Sequence, residues 1–325
     1  MQGKEMSEQE TQKCSAGIDV SKSTLDAHVL PGSHTLSVAN TRVGIGKLKR
    51  WLLRLNPKLV VVEATGKWHR ELCRSLTASQ IAVAITDPYR VRMFAKAQGI
   101  FAKTDRLDAR VLAMFAAVMA PSCRPATPKA LEVMQELVTA RASAVAEETG
   151  LKNQLAAAAT NILKRQLIVR IAQLAVHIKA LERECLKQIK ADEALARRFA
   201  VLTSIPGVGP IVATTLIACL SEIGSLTSKQ IAALAGLAPI ADDSGERKGV
   251  RVIWGGRAAV RRALYLAALS AANYNSDMRA FHRRLVANGK APKSALLAVA
   301  RKLAVLANTL IAQDRPWQST APQHA

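Results

Sequence analysis

Four acidic residues stand at positions where carboxylates are unusual and could act together on a phosphate group. Asp19 ends the predicted strand in GIDVSK, and Glu63 ends the apolar strand in VVVEATG. Asp105 and Asp108 have i, i+3 spacing at the start of an apolar helical run, so they project from one face of that helix. Such oxygen ligands suit Mg²⁺, and two ions about 4 Å apart would clamp the attacking and leaving oxygens of a phosphodiester.

Each of these acids also has an ordinary structural explanation. Asp105 and Asp108 could interact favourably with the positive end of the helix macrodipole, with neighbouring arginines as surface partners. Asp19 could be a turn aspartate. Glu63 is harder to explain in this way, because a carboxylate beside an apolar sheet must be paired or bound to a metal. The three features together favour a metal site.

The composition of the chain points to a polyanionic partner. Its 325 residues include 46 Lys and Arg against 24 Asp and Glu, a net charge of +22. Nucleic acid is the first candidate, because neutralising phosphates releases counterions. The length predicts two or three domains. Five cysteines without a CxxC pair argue against a zinc site or a disulfide framework, and they indicate a reducing cytoplasm.

The ends of the chain and its apolar stretches give no sign of a membrane. Residues 1–14 are polar and are expected to form a disordered arm, and residues 316–325 a disordered tail. The longest uncharged stretch, Phe199 to Ser221, is interrupted by prolines and glycines, which argues against a membrane span. We therefore expect a cytoplasmic, nucleoid-associated bacterial protein.

Residues 15–125 have the pattern of an α/β domain that would position the acids. AGIDVSKSTLDAHVL predicts two strands around a turn, and KLVVVEATG predicts a buried central strand. A helix near Trp68–Ala78 and a strand at IAVAIT follow, and Pro88 is expected to end that segment. Strands alternating with helices predict a mixed or parallel sheet with covered faces.

The rest of the chain is predicted to be helical. Residues 126–198 are rich in helix formers, and Leu131, Met134, Ile178 and Cys185 belong to apolar stripes at helical spacing. This indicates a helical hairpin or coiled coil, either a plain spacer or, as we favour, a dimerisation arm. Residues 199–315 are expected to form mostly short helices and to carry much of the positive charge.

Seven motifs, in this order, resemble those of one transposase family. GIDVSK, VVVEATG and KTDRLDAR are similar to the RuvC-like (RNase H-fold) domain of DEDD transposases of the insertion-sequence one-ten family, including its IS-eleven-eleven branch. LTSIPGVGPIVATTLIA, IAALAGLAP, DSGERKG and VRRALYLAA resemble the C-terminal transposase domain of that family. The resemblance covers nearly the whole chain, and it implies a RuvC-like domain, a helical coiled-coil middle and a mainly α transposase domain.

The resemblance also implies catalytic roles. The family's acidic tetrad falls on Asp19, Glu63, Asp105 and Asp108, which would be catalytic and would bind two Mg²⁺ ions. Its nucleophilic serine falls on Ser244, so the protein would be a serine recombinase that forms a phosphoserine–DNA intermediate. From residue chemistry alone, a serine in a polar loop is usually a turn former.

Two departures from the family pattern concern the surroundings of these residues. Many relatives have Asn-Pro where this chain has Asp87-Pro88. The loop from Gly245 to Arg261 differs in length from that of some relatives, which affects the alignment of Lys248 and Arg251 more than that of Ser244.

Partners follow from the resemblance rather than from any single residue. It implies donor and target DNA, a structured guide RNA (a bridge RNA) that would choose the sequence, a homodimer, and a tetramer in the synapse. The basic surplus is compatible with this RNA and does not reveal it.

Two further stretches have the chemistry of nucleic-acid contact. SIPGVGP predicts a helix-hairpin-helix element in which Gly207 and Gly209 bring backbone N–H groups to a phosphate, although a tight turn between packed helices would use the same residues. RKGVRVIWGGRAAVRRALY alternates basic residues with Trp254 and Tyr265, which either stack on bases or lie in the core. The basic residues predicted to contact nucleic acid are Lys103, Arg106, Arg110, Arg247, Lys248, Arg251, Arg261 and Arg262.

Two alternatives to a transposase remain at this point. The same carboxylates could activate water in a RuvC-like, structure-specific endonuclease, in which Ser244 would be incidental. A non-catalytic nucleic-acid-binding protein would have the same basic surplus. Acidic residues at all four tetrad positions argue against that second alternative.

Overall fold

The computed structural model describes residues 14–64, 66–101, 105–123, 127–241, 243–245, 249 and 251–319, with the side chains of residues 105–107 left out. The expected arm and tail lie outside this range except for Cys14 and residues 316–319. The chain divides into two compact units, one ending at Thr127 and the other beginning at Pro128. The first unit is mixed α/β and the second is mainly helical, which confirms the predicted fold class at this coarse level.

A five-stranded sheet forms the centre of the first unit, with the strand order β3-β2-β1-β4-β5. Its strands are β1 (Ser15–Val20), β2 (Thr24–Leu30), β3 (His34–Ala39), β4 (Leu59–Glu63) and β5 (Val83–Thr86). The strand β2 runs antiparallel to both of its neighbours, β1 and β3, whereas β4 runs parallel to β1 and β5 runs parallel to β4. The carboxyl ends of β1 and β4 therefore lie next to each other, and these are the ends that carry Asp19 and Glu63.

Helices cover both faces of this sheet. They are α1 (Arg42–Leu55), α2 (Arg70–Thr77), α3 (Pro88–Ala97) and α4 (Asp105–Met119). Side chains alternate between the two faces along a strand. Ile18 and Val62 pack with residues of α1 and α2, whereas Val61 packs with residues of α3 and α4. The acids at positions 19 and 63 alternate with the first pair, so they belong to the face that α3 and α4 cover.

Gly17 is the place where α4 crosses β1. A Cβ atom on Gly17 would overlap the amide nitrogen of Ala113 and the carbonyl oxygen of Ala109. Only glycine permits a helix backbone to come this close to a strand. The glycine of the GIDVSK motif therefore sets how closely α4 sits over the sheet.

Two local features of this unit are missed by the sequence analysis. The strand β5 ends at Thr86, before Pro88 as predicted, but Pro88 is also the first residue of α3, where its missing N–H group is not needed. The carboxylate of Asp87 accepts a hydrogen bond from the amide of Tyr89 at 2.7 Å and caps that helix. The apolar pattern also fails to indicate β3, because this edge strand is exposed or half-buried along its length.

The second unit begins with two long helices, α5 (Lys129–Ala157) and α6 (Asn161–Lys190), which pack against each other. Arg141 is paired with Glu182 at 2.7 Å, and Glu147 with Arg170 at 3.5 Å. Because the partner's number falls along α6 as the residue number rises along α5, the two helices are antiparallel. The coiled-coil geometry expected for residues 126–198 stays a prediction.

The remainder of the second unit packs around one apolar core. Its elements are α7 (Glu193–Thr203), α8 (Pro210–Cys219), α9 (Ser228–Leu234), β6 (Pro239–Ile240), β7 (Val252–Ile253), α10 (Ala258–Tyr274), α11 (Ser276–Ala287) and α12 (Pro292–Ala312). The expectation of mostly short helices is wrong for α10 and α12, which have 17 and 21 residues. Both helices are rich in alanine, which allows close packing.

Among the described helices, α12 alone is long and apolar enough to cross a membrane by length and composition. Its residues Leu303 and Ala307 are buried in the core of the second unit. Buried Asn308 accepts a hydrogen bond from the amide of Gly224 at 2.8 Å and donates one to the carbonyl of Leu226 at 2.7 Å. These are the contacts of a core helix, a class of helix that passes the same composition test.

Candidate active site

Asp19 and Glu63 lie side by side at the carboxyl ends of neighbouring strands. The parallel register pairs Ile18 with Val62, so the residues that follow are also neighbours. Adjacent strands are about 4.8 Å apart, and both side chains are half-buried on the face covered by α4. The structure thus brings together the two strand-end acids that the sequence predicts.

Asp108 lies on α4 close to the crossing with β1. It precedes Ala109, which contacts Gly17, and it lies one turn before the fully buried Leu112. Asp108 is half-buried, whereas the side chain of Asp105, the first residue of α4, lies outside the described part of the chain.

Asp19 and Glu63 therefore lie on the face of the sheet that α4 covers, and Asp108 lies on that helix. Asp19, Glu63 and Asp108 each already interact with other groups. Among the described residues, no group of three or more His, Cys, Asp or Glu side chains could hold a metal ion. Hard carboxylate oxygens are the donors that Mg²⁺ prefers, so the donor chemistry fits while a complete ligand set stays a prediction.

Two further polar residues on this face escape the sequence analysis. Asp26 is the antiparallel partner of Asp19, and Thr86 is the parallel partner of Glu63. Asp26 is half-buried, and the hydroxyl oxygen of Thr86 is buried without a hydrogen-bond partner among the described residues. Asp26 could have been found from the sequence, because the residues of a β-hairpin pair symmetrically about its turn. The turn between β1 and β2 lies midway between Asp19 and Asp26.

His28 lies beside Gly17 under the same helix. Its side chain is 5% exposed, and its Nε2 atom has no hydrogen-bond partner in the part of the chain that the structure describes. Burial lowers the pKa of His28, and the nearby positive charge of Arg110 lowers it further. Arg110 is exposed on α4, whereas Lys103 and the side chain of Arg106 lie outside the described residues.

Ser244 belongs to the second unit, in the loop between β6 and β7. It is exposed, and Gly245 after it adopts a positive φ of 53°. The Asp243 carboxylate accepts a hydrogen bond from the amide of Gly249 at 3.0 Å and lies 3.7 Å from the guanidinium of Arg251. These two contacts of Asp243 thus join the two ends of the loop next to Ser244. Arg247 and Lys248, which are predicted to contact nucleic acid, lie outside the described residues.

The predicted nucleic-acid residues around β7 and α10 differ in their surroundings. Arg261 donates a hydrogen bond to the carbonyl of Gly255 at 2.6 Å, so it is engaged within the fold. Arg262 is exposed. Trp254 is 62% exposed, so the alternative of a core position for it is wrong. Tyr265 is half-buried.

The SIPGVGP turn connects α7 to α8, and its two glycines have different surroundings. Gly207 has a φ of 102°, and a Cβ atom there would lie 2.6 Å from the Cβ of Ala271 on α10. The fold itself therefore requires Gly207. Gly209 precedes α8 and faces open space. Their contact with nucleic acid and the helix-hairpin-helix designation stay predictions.

Comparison with known proteins defines the class. The protein is 26% identical over 313 residues to the pilin gene-inverting proteins of Moraxella bovis and of Moraxella lacunata, matches that cover 93% of this chain and 96% of each relative. It is 32% identical over 124 residues to an insertion element IS110 protein of 43.6 kDa from Streptomyces coelicolor, which covers 38% of this chain and 31% of that protein. The protein is a DNA transposase or site-specific recombinase.

The family follows from two sequence profiles. One, described as a transposase of the IS110 DEDD type, matches residues 16–163, and one described as transposase IS116/IS110/IS902 family matches residues 200–283. The chain belongs to the IS110 family of DEDD transposases. Asp19, Glu63, Asp105 and Asp108 fall within the first match and Ser244 within the second. The expected designation as a member of the serine recombinases is wrong, since this DEDD family is not a serine recombinase family. That classification concerns the family, and a nucleophilic role for Ser244 within a DEDD transposase stays a prediction.

Proposed function

We propose that the protein is the transposase of an insertion sequence and that it cuts and rejoins DNA strands with Mg²⁺ held by its first unit. The strand order β3-β2-β1-β4-β5, in which β2 alone runs opposite to the other four strands, supports an RNase H-like (RuvC-like) domain. The placement of Asp19 beside Glu63, on the face that also carries Asp108, is the observation that supports it most.

The proposed ligands are Asp19, Glu63, Asp105 and Asp108, and two Mg²⁺ ions bound there would polarise the phosphodiester and stabilise the leaving oxygen. The strand-end acids would hold their positions because the sheet fixes their backbones. Asp108 would approach from α4, and Gly17 sets the distance between that helix and the sheet. The exposed Arg110 on the same helix would attract the DNA backbone that the negative charge of the carboxylates would repel.

In the proposed strand transfer, Ser244 is the acceptor of the phosphate. Its Oγ would lose a proton and form a bond to phosphorus, while the bond from phosphorus to the 3′ oxygen breaks and that oxygen takes up a proton. The phosphodiester is conserved in the serine ester, so the reverse step rejoins strands without ATP. Ser244 is exposed and follows Asp243, which is held by contacts with Gly249 and Arg251. This placement supports access of the serine to a DNA strand.

Denaturing gel electrophoresis with a labelled DNA end tests this proposal. The wild type should give a covalent protein–DNA complex that requires Mg²⁺, and Ser244→Ala should abolish it. Ser276→Ala, at another exposed serine, is the control. Strand cleavage retained in Ser244→Ala would favour an endonuclease that uses water. Cleavage retained in both Asp19→Asn and Glu63→Gln would indicate that the metal site is placed wrongly.

The proposed partners are donor and target DNA and a structured guide RNA that selects the site. The net charge of +22 supports binding to both polyanions. RNA that co-purifies with the protein, survives DNase and is encoded beside the gene would support the guide. Protein that recombines its site after complete RNase digestion would contradict it.

The proposed dimer is formed through the α5–α6 hairpin, and a tetramer would form in the synapse. Ile162, Val169 and Val176 recur every seven residues on α6, and each is more than half exposed although apolar. Such a stripe suits a coiled-coil contact with a second copy. Replacing all three with serine should shift the protein toward the monomer in sedimentation, whereas an unchanged mass would contradict this interface.

A further inference from the structure

The base of the hairpin that carries Ser244 is held by an ion pair between residues distant in sequence. Arg257 directly precedes α10, and its guanidinium donates two parallel hydrogen bonds to the Glu222 carboxylate, at 2.6 and 2.7 Å. The same guanidinium donates to the carbonyl of Cys219 at 2.9 Å, and the Arg257 amide donates to the carbonyl of Leu234 at 2.7 Å. One arginine therefore links the ends of α8 and α9 to the start of α10.

This ion pair is partly shielded from water. The side chain of Arg257 is 32% exposed and that of Glu222 is 23% exposed. A two-point contact between a guanidinium and a carboxylate fixes direction as well as distance, which a lysine cannot reproduce. The pair therefore orients the backbone that leaves the hairpin.

The two chain segments at the hairpin base also touch through glycines. A Cβ atom on Gly256 would overlap the amide nitrogen of Gly236, and one on Gly236 would overlap the carbonyl oxygen of Gly255. The carbonyl of Gly255 in turn accepts the hydrogen bond from Arg261. The segments that enter and leave the hairpin thus have no room to slide past each other.

Beyond this base the hairpin has few described contacts. Among the described residues, the strands pair Pro239 with Ile253 and Ile240 with Val252, Ser244 forms a β-bridge, and Asp243 makes the two contacts given above. The base is fixed by the ion pair and by the glycine contacts, so it limits the directions in which the loop can project.

We propose that Arg257 and Glu222 are positioning residues that aim Ser244 at the scissile phosphate, an inference that rests on the proposed role of Ser244. Neither side chain needs to touch the DNA. Loss of the two-point contact would leave the loop in place and broaden its orientations, so the chemical step would slow while DNA affinity is kept.

The test compares two ion pairs of similar length and exposure in the same unit. Arg257→Lys and Glu222→Gln break the hairpin pair, whereas Arg141→Lys and Glu182→Gln break the α5–α6 pair, which has a 2.7 Å contact and side chains 23% and 30% exposed. The single-turnover rate of covalent complex formation is measured at saturating DNA, with the dissociation constant for DNA and the folded fraction in parallel. We expect the hairpin variants to be slower by roughly tenfold or more at unchanged affinity, because misplacing a reacting group by about 1 Å can cost that much.

Rates in the hairpin variants equal to those of the α5–α6 variants would overturn the inference, and so would a decrease fully explained by the folded fraction or by weaker DNA binding. A Ser244→Ala protein that still forms the covalent complex would instead refute the proposed nucleophile. The measurement on Ser244→Ala thus distinguishes failure of the positioning inference from failure of the proposed role of Ser244.

Discussion

Gly17 on β1 lies in direct contact with the backbone of Ala113 on α4, at the centre of the sheet face that carries the candidate acids. This contact brings the helix that carries Asp108 close to the strand that carries Asp19. The distance between helix and sheet therefore depends on one missing side chain. Gly17 is required for this close packing and not for a special backbone conformation.

Replacing Gly17 with alanine should separate α4 from the sheet. We expect a loss of about 1–3 kcal/mol in the free energy of unfolding, as for other overpacked cores, together with weaker Mg²⁺-dependent cleavage. Urea denaturation measures the first effect and a gel assay the second. Gly46→Ala on α1 is the control, because a Cβ atom there meets nothing within 4 Å and should stabilise the helix. Equal stability of both variants would contradict the contact.

Replacing Asp26 with asparagine should stabilise the metal-free protein. Asp26 lies directly opposite Asp19 on antiparallel strands, and like charges in that position destabilise a sheet. We expect the free energy of unfolding to rise by about 0.5 kcal/mol in EDTA and by less when Mg²⁺ is added. Glu71→Gln, at an exposed acid 3.4 Å from Arg42, should change little in either condition. A destabilised Asp26→Asn protein in EDTA would mean that the two carboxylates do not repel.

His28 should make the first unit less stable in mild acid. Its pKa in the folded state is lowered from 6.5 by burial and then by Arg110, so the unfolded chain binds a proton that the folded protein resists. The contribution of His28 is complete above pH 6.5 and is lost as the pH falls from there through the lowered pKa. Thermal melting between about pH 8 and 5 should show a shallower pH dependence for His28→Gln than for the wild type. Exposed His34→Gln should follow the wild type, and parallel curves for all three proteins would refute this role for His28.

Replacing each of two adjacent arginines on α10 should affect a different property, DNA binding for Arg262 and stability for Arg261. Arg262 is exposed, so Arg262→Ala should weaken DNA binding, lower the salt dependence by about one counterion and leave the melting temperature unchanged. Arg261 is bonded to Gly255, so Arg261→Ala should lower the melting temperature of the second unit. Fluorescence anisotropy at several salt concentrations and calorimetry provide the two measurements. An Arg262→Ala protein with unchanged salt dependence would place this residue away from the phosphates.

Much of the candidate site in the first unit could be predicted from local sequence. The apolar run of β4 ends at Glu63, and Asp19 is the last residue but one of β1, so both strand ends follow from the apolar pattern and from side-chain polarity. The i, i+3 spacing of Asp105 and Asp108 defines the start of α4, which the structure places at Asp105. The order of the motifs was sufficient to identify the family.

Contacts between distant residues decided the rest. Nothing near Arg257 indicates a partner 35 residues away, and Arg261 and Arg262 are indistinguishable in sequence although only one donates to Gly255. Asp26 became part of the acidic face only through the hairpin register, and Gly17 gained its role only when α4 packed on it. Local sequence sets which backbone conformations and side-chain charges are available, because these depend on near neighbours. Which groups meet depends on how helices and strands pack, and therefore only the tertiary structure determined these pairs.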